Sequence, residues 1–351
     1  AVGLLLTLVC ALLPRQVISL FAPDEGIVGT GSEYLGIVCF SYVFFCITQS
    51  FIAGLRSVEV ARIGLYVSLC SLFTNIFLNY CLIYGKLGFP EYGVAGAAIA
   101  TLIARVVETT IITLYVFLYD KRLGFRPRDL LSSDRLLLGD LIRYGLPILA
   151  GQLVWAVNTM VSSAIMGRQS EEGSVAAMSI AQTINSLAYV CMNGMSGAVG
   201  IITGKTIGAG REDKMREYSK TVQIIFLLLG IFTGLTLYLL RDSFISLYDV
   251  SDAAVAEAVK YINVIAVTMV GTCYQVSVLF GLVKSGGDIS FVFKNDSFFV
   301  FVVVLPSAII ATLLHAPAWV VFACLKCDQI LKCFVAIVKV NSYNWMKNLT
   351  R

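Results

Sequence analysis

The sequence predicts an all-α, polytopic membrane protein, and three observations carry that prediction. Apolar runs of about 20 residues recur along the chain, each long enough to cross a ~30 Å hydrocarbon core as a helix. Hydrophobic residues make up 58% of the chain and charged residues only 14%, with mean hydropathy +0.84. A soluble chain of 351 residues needs far more charge to cover its surface. Basic residues also gather in alternate loops, as in helical membrane proteins. A β-barrel is excluded, because barrel strands are short and alternate in polarity.

Ten apolar segments follow in order, at about 1–21, 34–55, 63–84, 93–119, 146–167, 174–204, 221–240, 261–283, 298–314 and 317–338. The first holds Pro14 and the ninth Pro306, both expected to bend their helices. The third carries Asn75 and Asn79 four residues apart, which stacks two amides on one helix face. The fourth opens through Gly93, Gly96, Ala97 and Ala98, small residues that let two helices approach closely. Thr101 follows one turn in and is placed to face the amides. The fourth also carries Arg105 and Glu108. Intramembrane charges are costly and either pair statically or line a path, so a bracing ion pair and a proton-exchanging Glu108 both stand.

The fifth segment begins at Gly145-Leu146-Pro147, with Pro147 suited to a first helical turn. Its polar residues, Gln152, Trp155, Asn158 and Ser162, form one stripe. The sixth continues with Gln182, Asn185, Tyr189, Asn193 and Ser196. The eighth offers Thr268, Thr272, Tyr274 and Gln275. Interhelical hydrogen bonding explains such stripes plainly. The sharper reading is that, with Gln49 and the methionines Met160, Met178, Met192 and Met195, they line an uncharged, adaptable, water-filled cavity between two halves. Asp328 and Lys332 in the tenth segment repeat the ion-pair ambiguity.

Other motifs are discounted. There is one histidine, so histidine catalysis and histidine metal sites are poorly supplied. The ten cysteines lie mostly within apolar runs, as small hydrophobes. Cys324-Leu325-Lys326-Cys327 has redox or zinc spacing without a second pair. Gly204-Lys205-Thr206 imitates a phosphate-binding loop, but Val199 occupies the required glycine position and a helix precedes it. No bound metal or other cofactor is expected.

Eighteen basic residues occupy the loops of one side and five the other. The basic side, with the C-terminus, is expected in the cytoplasm. The Asn348-Leu349-Thr350 sequon there would be silent. Residues 12–55 align without a gap to 239–282 at an offset of 227. Ile18-Ser19-Leu20 matches Ile245-Ser246-Leu247, Tyr34 matches Tyr261, and Gly54-Leu55 matches Gly281-Leu282. An even number of segments separates the copies, so the repeat is parallel. The expected organisation is an N-lobe at 1–119, a linker at 120–143 holding Pro127 and Ser132-Ser133, and a C-lobe at 144–351. The repeat further predicts two helices before residue 1, and six plus six in all.

These residues resemble the MATE (multidrug and toxic compound extrusion) family, in its prokaryotic DNA-damage-inducible-like branch. The likeness rests on N-I-F-L-N-Y-C-L-I-Y-G-K-L-G-F-P at 75–90 and G-V-A-G-A-A-I-A-T at 93–101. It continues in Y-G-L-P-I at 144–148, the glycine-rich run 197–211, K-S-G-G-D at 284–288, and the tail C-D-Q-I-L-K with W-M-K-N-L-T. It covers the chain as family helices three to twelve. The resemblance implies a two-lobe secondary antiporter in the cell membrane. It would exchange Na⁺ or H⁺ for organic, typically cationic, compounds by alternating access. It also implies a cation site in which Asn75 and Thr101 match the family pattern and Asn79 stands where Asp is frequent. Glu108 is added as a coupling carboxylate. At the positions where some relatives carry a C-lobe acid, this chain has Trp155 or no acid, so no C-lobe cation site is implied.

The expected partners are small organic substrates and membrane lipids, with no nucleic acid, and the expected state is a monomer. A lipid-linked oligosaccharide or polysaccharide flippase of the same superfamily is the nearest alternative. Its cavity would be strongly basic, whereas Arg105 is the main buried candidate here. A membrane-embedded enzyme would need clustered intramembrane His, Asp or Glu, and a passive channel would need a central pore in place of a two-lobe repeat.

Overall fold

The computed structural model describes residues 2–19, 25–125, 135–167, 174–248 and 250–347. The Pro127 and Ser132-Ser133 stretch, Arg168 to Glu172 and the Asn348 sequon lie outside them. The secondary structure among the described residues is helical, with no strand. The chain divides into two compact units, Ala1–Ser132 and Ser133–Arg351.

The first unit begins with α1 (Val2–Leu12) and α2 (Pro14–Ser19). Pro14 starts a new helix because it has no N–H to continue the old one. Next come α3 (Glu25–Val38) and α4 (Ser41–Ser57), an apolar helix pair bent by 51° at the break between them. At the bend the Thr7 hydroxyl donates to the Cys39 carbonyl at 2.8 Å, satisfying an acceptor next to the break. Then α5 (Arg62–Ile83) and α6 (Gly93–Leu114, prolonged by a π-helical turn at Tyr115–Tyr119) form a tightly apposed pair. Gly96 allows that approach: a Cβ there would lie 2.5 Å from the Leu82 carbonyl oxygen.

The second unit opens with α7 (Arg135–Gly167), α8 (Ser174–Gly208) and α9 (Glu212–Ile245). Residues 135–143, read from their charge as linker, are helical in α7. Pro147 therefore lies inside a helix and not in a first turn. Hydropathy marks where lipid begins, whereas a helix continues past that line whenever its residues favour it. The next helix, α10 (Asp252–Val276), is continued by a π-helical segment to Lys284. Ser251 caps it by accepting from the Ala254 N–H at 3.4 Å. It packs against α8 and α9, and against α13 (Ala318–Lys326) and α14 (Asp328–Asn341). Gly230 and Gly234 of α9 seat it: a Cβ at Gly230 would come within 2.9 Å of Val270 backbone.

Between them run α11 (Ile289–Phe298), a π-helical turn at Phe299–Val304, and α12 (Leu305–Leu313). Pro306 falls in the first turn of α12. A π-helical segment immediately precedes it, a local widening that accommodates the missing N–H and the clash with the preceding turn.

The repeat reappears as structure. α4 ends at Ser57 and the π-helical continuation of α10 at Lys284, the offset seen in the sequence. With the α1–α2 and α13–α14 stretches counted, each of the ten predicted segments corresponds to helix.

Candidate functional site

The first unit holds a polar seam along α5 and α6. On α5, Asn79, Asn75 and Ser71 recur every four residues and so share one face. On α6, Thr101 and Glu108 are seven apart, two turns on one face. Asn79 Nδ2 donates to Asn75 Oδ1 at 3.0 Å, and Asn75 Nδ2 donates to Thr101 Oγ1 at 3.5 Å. Thr101 spends its own proton on the Ala97 carbonyl at 2.9 Å, leaving its lone pairs toward the amides. The Asn79 Oδ1 atom is buried with no hydrogen-bond partner among the described residues. A buried acceptor left unmatched costs about 1–3 kcal/mol.

Further along the seam, Arg105 donates to Glu108, and Ser71 Oγ donates to the same carboxylate at 3.4 Å. The Arg105 guanidinium also sits 5.0 Å over the Phe45 ring. Glu108 is 3% exposed. Ser71 was not singled out in the sequence, although its position four residues before Asn75 was the available signal.

The expected cavity residues divide into two groups. Gln49, Gln152, Trp155, Gln182 and Asn193 are exposed, and Asn158 and Tyr189 are half-buried. None of the most apolar stretch of α7 is buried. Asn185, Tyr274 and Gln275 are buried within their own unit. Tyr274 donates to Gln223 Oε1 at 2.7 Å, and Gln275 Nε2 donates to Gln329 Oε1 at 3.0 Å. The structure thus brings Asn75, Asn79 and Thr101 together, with Glu108 two turns away. Gln275 and Tyr274 are joined instead to side chains absent from the sequence reading. A cleft of about 620 Å³, also not foreseen, opens in the first unit beside Tyr34, Tyr42, Thr30, Leu35 and Val94.

The second unit carries charge where the first carries amides. Lys332 on α14 lies 2.9 Å from Asp296 of α11 and 3.0 Å from Asp328 of its own helix. Nearer the helix ends, Asp288 accepts from Lys339 at 2.7 Å and from Lys347 at 2.9 Å. Burial pushes the Asp288 carboxyl up, but the two ammonium groups outweigh it and hold the carboxyl below its usual value. The tail closes over this turn. Trp345 is fully buried, the Lys347 N–H donates to the Gly286 carbonyl at 2.8 Å, and a Cβ on Gly286 would fall inside the indole.

Comparison with known proteins matches residues 1–81 and 147–310 to the MatE family model. The chain is similar to a probable multidrug resistance protein NorM of Thermotoga maritima, 30% identical over 266 residues, 74% of this chain and 55% of that protein. It is also similar to the NorM counterpart of Photorhabdus laumondii, 30% identical over 87% of this chain and 67% of the relative. The chain thus spans little more than half of the Thermotoga protein's length. Among solved structures, a MOP superfamily transporter from Pyrococcus furiosus superposes with TM-score 0.87 at 20% identity, over 97% of this chain and 75% of that one. An outward-facing multidrug resistance MATE transporter gives 0.85 at 19%, over 98% and 76%. These likenesses show the fold.

Proposed function

The chain belongs to the MATE family, and on that premise we propose that it exports small organic compounds, cationic ones among them, in exchange for entering Na⁺ or H⁺. Multidrug resistance is what the names of its relatives say of those proteins, and a multi-pass helical membrane protein is the architecture that export needs. The buried, unmatched Asn79 Oδ1 beside Asn75 and Thr101 carries the reading. Three neutral oxygen-bearing side chains on apposed helices form a site that a small cation can enter without a counter-charge. Hard cations favour such oxygen donors. Binding there adds charge at the α5–α6 contact and so biases any two packings of that pair. Glu108, two turns along the seam and balanced by Arg105, is assigned a secondary electrostatic role in the same coupling. In this proposal the exposed or half-buried Gln152, Trp155, Asn158, Gln182, Tyr189 and Asn193 of the second unit supply a neutral polar surface for substrate.

The test is dye efflux from energised membrane vesicles. Asn75→Leu should abolish gradient-driven efflux while the protein still inserts at normal abundance. Retained gradient-driven efflux in that variant removes the seam from the mechanism.

A further inference from the structure

Inside the second unit lysines outnumber the carboxylates they face. Lys332 bridges Asp296 at 2.9 Å and Asp328 at 3.0 Å, and Gln329 Nε2 donates to Asp328 Oδ1 at 2.9 Å. Both carboxylates are thus already served. Two further lysines face them: Lys284, ending the α10 span, faces Asp296, and Lys326, ending α13, faces Asp328. Neither ammonium has an ion pair or a hydrogen bond among the described residues. Each lies only over a ring, Lys284 over Phe280 at 5.1 Å and Lys326 over Phe322 at 5.8 Å. Three ammonium groups against two carboxylates leave one positive charge unanswered among the described residues.

The two free lysines differ in depth. Lys284 closes its span at the turn to α11, and lysines near span ends reach the interface. Lys326 sits where the tenth apolar segment breaks: α13 ends at it and α14 resumes at Asp328. By helical rise about 12 Å of helix precedes it and about 22 Å follows. An unanswered charge at that depth is expensive, and such residues pair or line a path. Lys326 is half-buried and not sealed into the bundle, so its charge is open to a group that enters and leaves.

We propose that Lys326 docks a carboxylate of the transported compound, so that the substrates include zwitterions as well as cations. The proposal rests on the export function proposed above and adds a substrate class to it. The ammonium offers charge-assisted hydrogen bonds to a carboxylate. Asp328 does not compete for it, being held by Lys332 and Gln329. Tyr189 of α8 also faces Asp328 and belongs to the stripe with Gln182 and Asn193 assigned to substrate, so that surface and Lys326 meet at Asp328. Phe322 is stacked on Tyr261 with centroids 4.8 Å apart, which fixes the ring beneath the ammonium. A free cation is disfavoured here, because it would add to an existing excess of positive charge. A lipid phosphate stays at the bilayer surface and does not supply an anion at this depth.

Two dyes binding to the purified protein in phosphatidylcholine nanodiscs test this. One is a rhodamine with a free carboxylate, the other its methyl ester, which lacks that charge, and fluorescence anisotropy gives a Kd for each. Lys326→Gln should weaken binding of the free acid by about tenfold or more and that of the ester by less than about twofold. Unchanged ester binding in the same variant shows that its fold is intact. Lys326→Arg, which keeps the charge, should hold the acid within about threefold of the wild type. Lys214→Gln, on the exposed face of α9, should alter neither dye. Equal losses for the two dyes, undiminished acid binding in Lys326→Gln, a wild type that does not bind the acid, or a tenfold loss of the acid in Lys326→Arg or Lys214→Gln overturns the proposal and leaves the export function standing. Efflux of the ester from energised vesicles is read separately, and its absence removes the export function and this proposal with it.

Discussion

The two units each bury a polar seam, and the seams differ in kind. Along α5 and α6 the groups are amides and hydroxyls, with one ion pair at the far end. Along α11 and α14 carboxylates and ammoniums predominate, with the Gln329 amide beside Asp328. A neutral seam can accept a cation and remain in place, because its oxygens need no counter-charge. A charged seam is held by balance, so removing or adding a single charge alters the packing itself. The neutral seam is the one we propose holds the coupling ion.

Unbalancing the charged seam should have the largest effect. Lys332→Met strands two carboxylates and is expected to cost about 3–5 kcal/mol, read as a fall in thermal stability in detergent. Replacing Asp296, Asp328 and Lys332 together by apolar residues of similar size should restore that stability, since nothing is then left unpaired. If the triple variant melts no higher than Lys332→Met, charge balance is not what holds α11 to α14.

The neutral seam should break by geometry and not by charge. Gly96→Leu drives a side chain into the Leu82 carbonyl, at an expected cost of about 1–3 kcal/mol. It should also lower binding of the coupling cation, because Asn75 and Thr101 are drawn apart. Ser71→Ala, which removes only two long contacts of 3.4 Å, to Glu108 and to the Ala104 carbonyl, should change stability by less than about 1.5 kcal/mol. Equal losses from the two substitutions would mean that the seam is not set by the close approach at Gly96.

The smallest effect is expected at the tail. The folded pKa of Asp288 lies below its unfolded value, near the ordinary 3.8. Its contacts to Lys339 and Lys347 therefore add stability above that pH, and lose it as pH falls through the depressed folded value. Lys347 is half exposed, so its share is under about 1 kcal/mol. Acid below about pH 4 should raise the protease sensitivity of the last residues, and Asp288→Asn should produce the same sensitivity at neutral pH.

Much of the neutral seam was legible before any coordinates. Asn75 and Asn79 are four apart and Thr101 follows a small-residue run, and both patterns are local consequences of helical geometry. The charged seam was only half legible. Asp328 and Lys332 show as an i,i+4 pair, but Asp296 sits at the edge of an apolar run that hydropathy places from 298 onward. Its charge argued for a loop, and only the approach of α14 makes it a buried partner. Gln223 and Gln329, which engage Tyr274 and Gln275, were missed for the same reason: each is one polar residue on a helix whose neighbour was unknown.

The amino-acid sequence by itself determined what repeats within a turn or a span: which stretches are helical and apolar, which faces are polar, and the duplication at an offset of 227. Those properties follow from 1.5 Å of rise per residue and from the thickness of a hydrocarbon layer. Tertiary structure decided which polar face meets which. α10 lies against α8, α9, α13 and α14, whereas its repeat partner α3–α4 is bent and packs on α1, α2 and α6. Partner choice depends on close approaches such as Gly96 to Leu82 and Gly271 to Gln329, contacts between residues distant in the chain that no local pattern encodes.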